Sequence, residues 1–464
     1  MERFWFEGVN TPHVRIAGDA QSLRPFASRI VLLLRFMKTS AIDRLLILAF
    51  FGCFIGGSLY LVAPIRPVHI GFLAIIAAGL ASKDLRALLF RTHYLTGLVA
   101  LLFVLGAQAL WVENWVRYVR YSVFLGIGFG LFFLGGAIVA RRVDIRWPIA
   151  ACTLVWFVIA FFPFFDDWAG ATEFRGYLLT GGPWGNPNTM ATVLVFASLL
   201  WFVFYRRMPW ALFFCGWFYV ILLSRRADTV AFAIFSLSYL LFFAHATWAK
   251  RLWLLSIWVL VTVISALAAN NASLIRATQS SSNTFTQAIT LKPESTTSQS
   301  ELPSFLVEKQ NGLAAPNDTL TAESVASASS LLSDLGLGSI RPGADAIRLV
   351  LIADMLEAMG KLSWWQWVLG QGAGQLDLTW SPDNSRYASP HFFWLEMFFY
   401  VGIGWFALLT AMFWSLDWRG RVAMVAMGVA GVAPSSIITV GPFWCLFGAL
   451  FFKAFIEKTW QSNG

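Results

Sequence analysis

The side chains best suited to chemistry in this chain are four arginines, Arg175, Arg225, Arg226 and Arg348, and one histidine, His391. They lie in polar segments beside long apolar runs. The guanidinium fork matches phosphate oxygens, and imidazole titrates near neutral pH, so the set favours binding of a diphosphate and removal of a proton from a hydroxyl. Two alternatives stay open, because such arginines also reach lipid phosphates and a lone histidine is often structural.

Four further residues are predicted to support these groups. Asn188 ends a glycine- and proline-rich segment and is placed to cap the helix that follows. Gly372 belongs to a glycine cluster that predicts a turn. Gly402 lies eleven residues after His391, on the same face of a continuous helix, where it would allow close approach of a helix or a substrate. Glu396 is expected to make a separate contact.

The composition indicates the elements that must position these residues. Of 464 residues, 58% are hydrophobic and 13% are charged, whereas soluble domains have about 25% charged residues. Runs of about 20 apolar residues are long enough to cross a bilayer as helices. We therefore predict an all-α, polytopic membrane protein with about twelve transmembrane helices. The predicted spans are 44–63, 68–82, 94–112, 121–140, 147–165, 188–205, 208–223, 228–247, 251–269, 391–414, 421–438 and 440–456.

The distribution of lysine and arginine predicts the orientation. With residues 1–43 as a cytoplasmic N-terminal tail, 21 of the 34 basic residues fall on the cytoplasmic side, as the positive-inside rule requires. Both termini are then cytoplasmic. The tail lacks the long apolar run of a cleavable signal peptide. The net charge of +9 mainly reflects this bias and does not indicate a nucleic-acid partner.

One long external loop is predicted at 270–390, between the nine spans of 44–269 and the three spans of 391–464 with the cytoplasmic C-terminus. Its first part is rich in serine, threonine and asparagine and is typical of poorly packed chain. Apolar residues near 345–361 have helical spacing and predict an amphipathic helix. They are Ile347, Val350, Leu351, Met355, Leu356 and Met359. Three tryptophans follow it, as if resting on the membrane surface.

The cysteines and acidic residues give little indication of a metal site. None of the cysteines has the spacing of a metal or redox motif, and we interpret them as small apolar packing residues. They are Cys53, Cys152, Cys215 and Cys445. We predict no metal and no cofactor. Asp166 and Asp167 keep a metal-dependent transferase open as an alternative.

The order of three motifs resembles a known family, the bacterial O-antigen ligase and polymerase superfamily, which includes exopolysaccharide polymerases and protein O-oligosaccharyltransferases. The resemblance covers roughly 165–415. The matching residues are Arg175 with Gly185-Asn186-Pro187-Asn188, then Ser224-Arg225-Arg226-Ala227, then Arg348 with Gly370-Gln371-Gly372-Ala373-Gly374, His391 and Gly402-Ile403-Gly404.

The resemblance implies transfer of a glycan from undecaprenyl diphosphate to an acceptor at the periplasmic face of the bacterial inner membrane. The acceptor is lipid A–core in ligases, a glycan repeat unit in polymerases, or a protein. Because Phe392 and Trp405 depart from the family pattern, ligase and polymerase both stay open. A polysaccharide transporter or lipid flippase is the non-enzyme alternative, although the last six spans do not repeat the first six.

Overall fold

The structure is a computed structural model that describes residues 40–57, 65–90, 93–161, 184, 187–205, 208–222, 226–243, 247–267, 344–376, 378–380, 385–387, 392–432, 437–457 and 460. The chain divides into two compact units, 1–44 and 45–464. The predicted tail lies almost wholly outside the described residues, as does the first part of the predicted loop.

The described chain is mostly helical. Its first helices are α1 (Ala41–Phe54), α2 (Pro67–Ala81), α3 (Lys83–Phe90), α4 (His93–Gln108), α5 (Trp115–Arg141), α6 (Arg146–Phe161), α7 (Pro187–Phe204) and α8 (Trp210–Leu222). There follow α9 (Arg226–Ser238), continued by a π-helical turn at Tyr239–Phe243, and α10 (Trp248–Leu267). The later elements are α11 (Ala344–Gly360), α12 (Trp364–Leu369), β1 (Leu378–Trp380), β2 (Ser385–Tyr387), α13 (Phe393–Val401), α14 (Gly404–Ser415), α15 (Trp418–Ala430) and α16 (Gly441–Phe455).

Helices occupy all the predicted spans, and the all-α class is confirmed apart from the antiparallel pair β1–β2. Judged by length and composition, α5 and α10 could each cross a membrane. A third candidate is the pair α2 and α3, bent by 99° at Ser82. The other apolar helices among the described residues are shorter. The protein is therefore a helical membrane protein with at least two candidate spans.

The predicted continuous span 391–414 is wrong. Helix α13 ends at Val401, and α14 begins at Gly404. Between them Gly402 has φ +81°, a left-handed conformation that glycine adopts without strain. The face that Gly402 was expected to share with His391 requires an unbroken helix, so that geometric argument fails.

Two smaller predictions are also corrected. Helix α7 begins at Pro187, so Asn188 lies in its first turn and does not precede the helix as a cap. Proline suits the first helical position because it has no amide hydrogen to leave unsatisfied. Three of the four cysteines are buried as predicted, but Cys215 is exposed on α8.

Helices α5 and α16 meet in direct backbone contact through glycine. A Cβ atom at Gly135 would overlap the carbonyl oxygen of Cys445, and one at Gly448 would overlap that of Phe132. Tyr94 of α4 closes the same contact, because its hydroxyl lies against Gly136 and donates a hydrogen bond to the Gly448 carbonyl at 3.2 Å. Small residues permit such approach where helices cannot rely on the hydrophobic effect.

An ion pair lies just beyond the C-terminal end of α5. Arg146 donates to both carboxylate oxygens of Asp144 at 2.9 and 2.6 Å, and the Tyr205 hydroxyl donates to the same carboxylate at 3.1 Å. These hydrogen bonds lower the pKa of Asp144. The cluster joins the α5–α6 connection to the end of α7, and its groups are engaged with one another.

Replacing Gly135 with alanine is expected to destabilise the protein by about 1–3 kcal/mol, because the added methyl group has to displace the backbone of α16. Gly126 on the same helix has open space around its Cβ position, so Gly126→Ala serves as the matched control. Thermal unfolding of both purified variants in one detergent tests this. Equal unfolding midpoints for the Gly135→Ala and Gly126→Ala variants would contradict the close contact between α5 and α16.

Candidate functional site

The structure describes only part of the predicted site. His391, Arg175 and Arg225 lie outside the described residues, as do Asp166 and Asp167. Arg226 is the first residue of α9, and Arg348 lies in the second turn of α11. Asn188, Gly372, Glu396 and Gly402 are fully described. The predicted convergence of the arginines on His391 therefore stays a prediction.

The glycine cluster forms a turn that packs onto the start of α5. Gly370, Gly372 and Gly374 have φ values of +84°, +128° and +72°, which explains why this turn uses glycine. A Cβ atom at Gly374 would lie 2.7 Å from the Tyr121 ring. A Cβ atom at Gly372 would lie 3.2 Å from Val112. Gly372 thus supports the site through backbone shape.

Hydrogen bonds fix this turn in place. Gln375 and Asn114 exchange two hydrogen bonds at 3.0 Å: the Asn114 amide donates to Gln375 Oε1, and Gln375 Nε2 donates to the Asn114 carbonyl. Trp111 donates to the Gln371 carbonyl at 3.0 Å, and Arg117 donates to the Leu376 carbonyl at 3.3 Å. The end of the predicted external loop is therefore bound to the connection between α4 and α5.

The C-terminal ends of α12 and α13 meet at Gly370 and Gly402. A Cβ atom at Gly370 would lie 2.5 Å from the Tyr400 carbonyl oxygen, and one at Gly402 would overlap the Val368 carbonyl oxygen. The amide group of Gln108, a buried residue of α4, donates to carbonyls of both helices. This satisfies carbonyls that a helix end otherwise leaves without partners.

Glu396 is fully buried in α13 and belongs to a chain of hydroxyl and carboxyl groups. Tyr400, one turn later, hydrogen-bonds to the Glu396 carboxyl group, and Tyr121 of α5 hydrogen-bonds to Tyr400. The two tyrosine rings lie 5.7 Å apart in an edge-on arrangement. Arg117 acts electrostatically on both tyrosines. A buried carboxyl group is costly without such partners.

Tyr121 also lines a polar cavity of about 440 Å³. Three basic side chains, Arg66, His69 and Arg120, contribute to its wall, and no acidic side chain is among its described lining residues. Arg66 donates to the Gly57 carbonyl at 3.1 Å, and its own amide donates to His69 Nδ1 at 3.2 Å. The cavity is therefore shaped and charged to receive an anion.

The first motif also reaches this cavity. Trp184, from the segment that precedes α7, is buried in the cavity wall. Its ring meets Trp156 edge-on at 6.4 Å and lies against Gly57. Trp156 in turn donates to the Ile55 carbonyl at 3.0 Å, which ties α6 to the end of α1.

A larger cavity of about 540 Å³ lies between α4, α5, α14 and α16. Its lining is apolar except for His93 and Thr96. It offers apolar contacts and few groups that could bind an anion or transfer a proton, so we take the polar cavity as the candidate site.

Helix α11, which carries Arg348, is held by one apolar stripe. Leu351, Met355 and Met359 are buried, and α11 packs against β1. Leu356, assigned to the same stripe from the sequence, is exposed instead. The buried residues of α11 are therefore spaced four residues apart, along one face of the helix.

Comparison of the chain with protein-family models, with curated proteins and with solved structures gives no match.

Substitution of Gly402 with alanine is expected to cost at least about 1–3 kcal/mol, because alanine is strained at φ +81° and its methyl group would overlap the Val368 carbonyl. Gly404, two residues later, has no heavy atom within 4 Å of its Cβ position, and Gly404→Ala is the control. Proteolysis between α12 and α13 should accelerate only in Gly402→Ala. The same rate in both variants would show that the junction does not hold this segment.

Proposed function

We propose that this protein is a membrane glycosyltransferase that moves a glycan from undecaprenyl diphosphate to an acceptor at the periplasmic face of the bacterial inner membrane. The proposal includes twelve transmembrane helices and cytoplasmic termini. It places the polar cavity and the turn 370–376 on the periplasmic side. The preferred acceptor is lipid A–core, as in O-antigen ligases. A glycan repeat unit or a protein is the alternative acceptor.

One observation carries this proposal. The same basic cavity is lined by Trp184, which immediately precedes Gly185 of the first motif, and by Tyr121, which connects through Tyr400 to Glu396 in the helix that follows His391. Segments of the first and third motifs thus lead to one anion-binding cavity. A diphosphate leaving group needs such a cavity, because charge develops on its oxygens as the bond breaks.

The reaction requires removal of the proton from the acceptor hydroxyl and neutralisation of the leaving diphosphate. The acceptor hydroxyl oxygen attacks the anomeric carbon, a new C–O bond forms, and the bond from that carbon to the diphosphate oxygen breaks. The hydroxyl proton passes to His391, and the electron pair leaves with the lipid diphosphate. In this proposal Arg175, Arg225 or Arg226, and Arg348 neutralise the diphosphate. The activated donor supplies the free energy, so no ATP is required.

His391→Ala is expected to reduce transfer by about 10² to 10⁴, the usual value of general-base assistance. Donor binding should be nearly unchanged, because the arginines and not the histidine hold the diphosphate. Transfer by the purified variant, measured with an equilibrium donor-binding assay, tests both parts. Wild-type transfer by a stable variant would end the catalytic role of His391. Loss of donor binding equal to the loss of transfer would assign it a binding role instead.

Arg348→Ala is expected to lower transfer by about 10² to 10³, the usual cost of losing one charge-stabilising donor. Arg348→Lys should restore little, because lysine lacks the planar fork. The matched control is Lys361→Ala, which removes the same charge just beyond α11, where Lys361 pairs with exposed Glu357. The measurement is the initial rate of glycan transfer by equal amounts of each variant. Equal rates for the Arg348→Ala and Lys361→Ala variants would contradict the assignment.

A further inference from the structure

The basic side chains of the polar cavity come from helices that none of the three motifs includes. Arg66 and His69 stand at the start of α2, and Arg120 lies in the second turn of α5. Both arginines are on the side predicted to be external, against the general charge bias of the chain.

Glycines line the cavity where other parts of the protein pack closely against them, as Trp184 does at Gly57. Gly52, Gly56 and Gly57 line it from α1 and the chain beyond, while Gly128 and Gly441 line it from α5 and α16. The Trp444 ring lies against Gly128 and is fixed by a hydrogen bond from its indole nitrogen to the Ile438 carbonyl at 2.9 Å. The basic groups thus surround a preformed space with a rigid wall.

The charges of this cavity select one class of ligand. Two guanidinium groups and an imidazole line the wall, the Thr439 side chain joins them, and the described lining contains no carboxylate. Two guanidinium groups suit an anion with more than one charge, and their planar forks match phosphate oxygens in particular.

We infer that Arg66 and Arg120, with His69 beside them, form a binding site for the diphosphate of a phosphate ester. Three basic side chains converge on one cavity, and Tyr121 links it to α13. The identification of that ester as the lipid-linked donor rests on the proposed function, whereas the site itself does not. A lipid headgroup and a free diphosphate share this chemistry, so the test separates the two sources.

The test is equilibrium binding to the purified full-length protein in detergent at fixed ionic strength. Three probes are compared: undecaprenyl diphosphate, undecaprenol, which has the same chain without phosphate, and inorganic pyrophosphate. Arg120→Ala is the main variant, because the Arg120 guanidinium group lies over the Phe124 ring, 5.8 Å from its centroid, and the residue is exposed. Arg251→Ala, which removes the same charge from α10, is the control.

We expect undecaprenyl diphosphate to bind at least about tenfold more tightly than undecaprenol. Arg120→Ala should weaken diphosphate binding by about tenfold or more, the loss expected for one charged hydrogen bond, and Arg251→Ala should not. Pyrophosphate binding as tight as that of the lipid supports the site but assigns it to a free diphosphate. Equal binding by the Arg120→Ala and Arg251→Ala variants, or undecaprenol binding as tight as the diphosphate, overturns the inference.

The binding test uses no glycan and no acceptor, so its failure differs from failure of the proposed function. Binding of undecaprenyl diphosphate without glycan transfer would contradict the proposed transferase activity but not the binding site. Glycan transfer by a protein whose affinity for undecaprenyl diphosphate does not depend on Arg120 would contradict the binding site but not the transferase activity. Thermal unfolding of each variant checks that it is folded. A second variant, Arg66→Lys, keeps the charge but not the fork and should weaken binding by a smaller factor.

Discussion

The glycine contact between α5 and α16 is the constraint on which the rest of the candidate site depends. Helices in an apolar environment gain little from hiding apolar side chains from one another, so close packing has to hold them together. Gly135 and Gly448 let the two backbones touch, and the Tyr94 hydroxyl closes the contact from α4. Once α5 is fixed by this contact, its N-terminal half has one orientation relative to α16.

That orientation determines the cavity and its connections. Tyr121 and Arg120 enter the wall of the polar cavity from α5, about four turns before Gly135. The preceding turn of the same helix receives the glycine cluster, through Arg117 and Tyr118. Gln108, the last residue of α4, joins α12 to α13, and Trp111 beyond it donates to the Gln371 carbonyl. A single packed helix thus links the loop, the buried Glu396 and the basic cavity.

Much of the fold could be predicted from the sequence. Apolar runs of sufficient length predict helices almost by necessity, and each predicted span contains one. The break at Gly402 could not be predicted, because glycine also occurs inside membrane helices. The approach of the Val368 carbonyl from a distant segment decides its conformation. Leu356 shows the same limit, since helical spacing alone cannot decide which of two adjacent faces is buried.

The candidate site could be predicted only in part. Residue chemistry and order single out Arg348 and His391. The connection of Glu396 through Tyr400 leads to Tyr121 of α5, more than 270 residues earlier in the chain. Such proximity has no signature in a single sequence. Arg66 and Arg120 carry one usable signal, their external placement against the charge bias. Gln108 carries another, as a polar residue ending an apolar helix, since buried amides usually cap or join backbone groups.

The most direct test of the account is to follow the donor after it meets the purified protein in proteoliposomes. The donor is undecaprenyl diphosphate carrying a labelled glycan, supplied with and without acceptor and without ATP. The account predicts free undecaprenyl diphosphate in a one-to-one ratio with glycosylated acceptor, and release only when acceptor is present. Movement of the intact donor between leaflets, with the glycan still attached and no free carrier formed, would contradict it and identify a transporter.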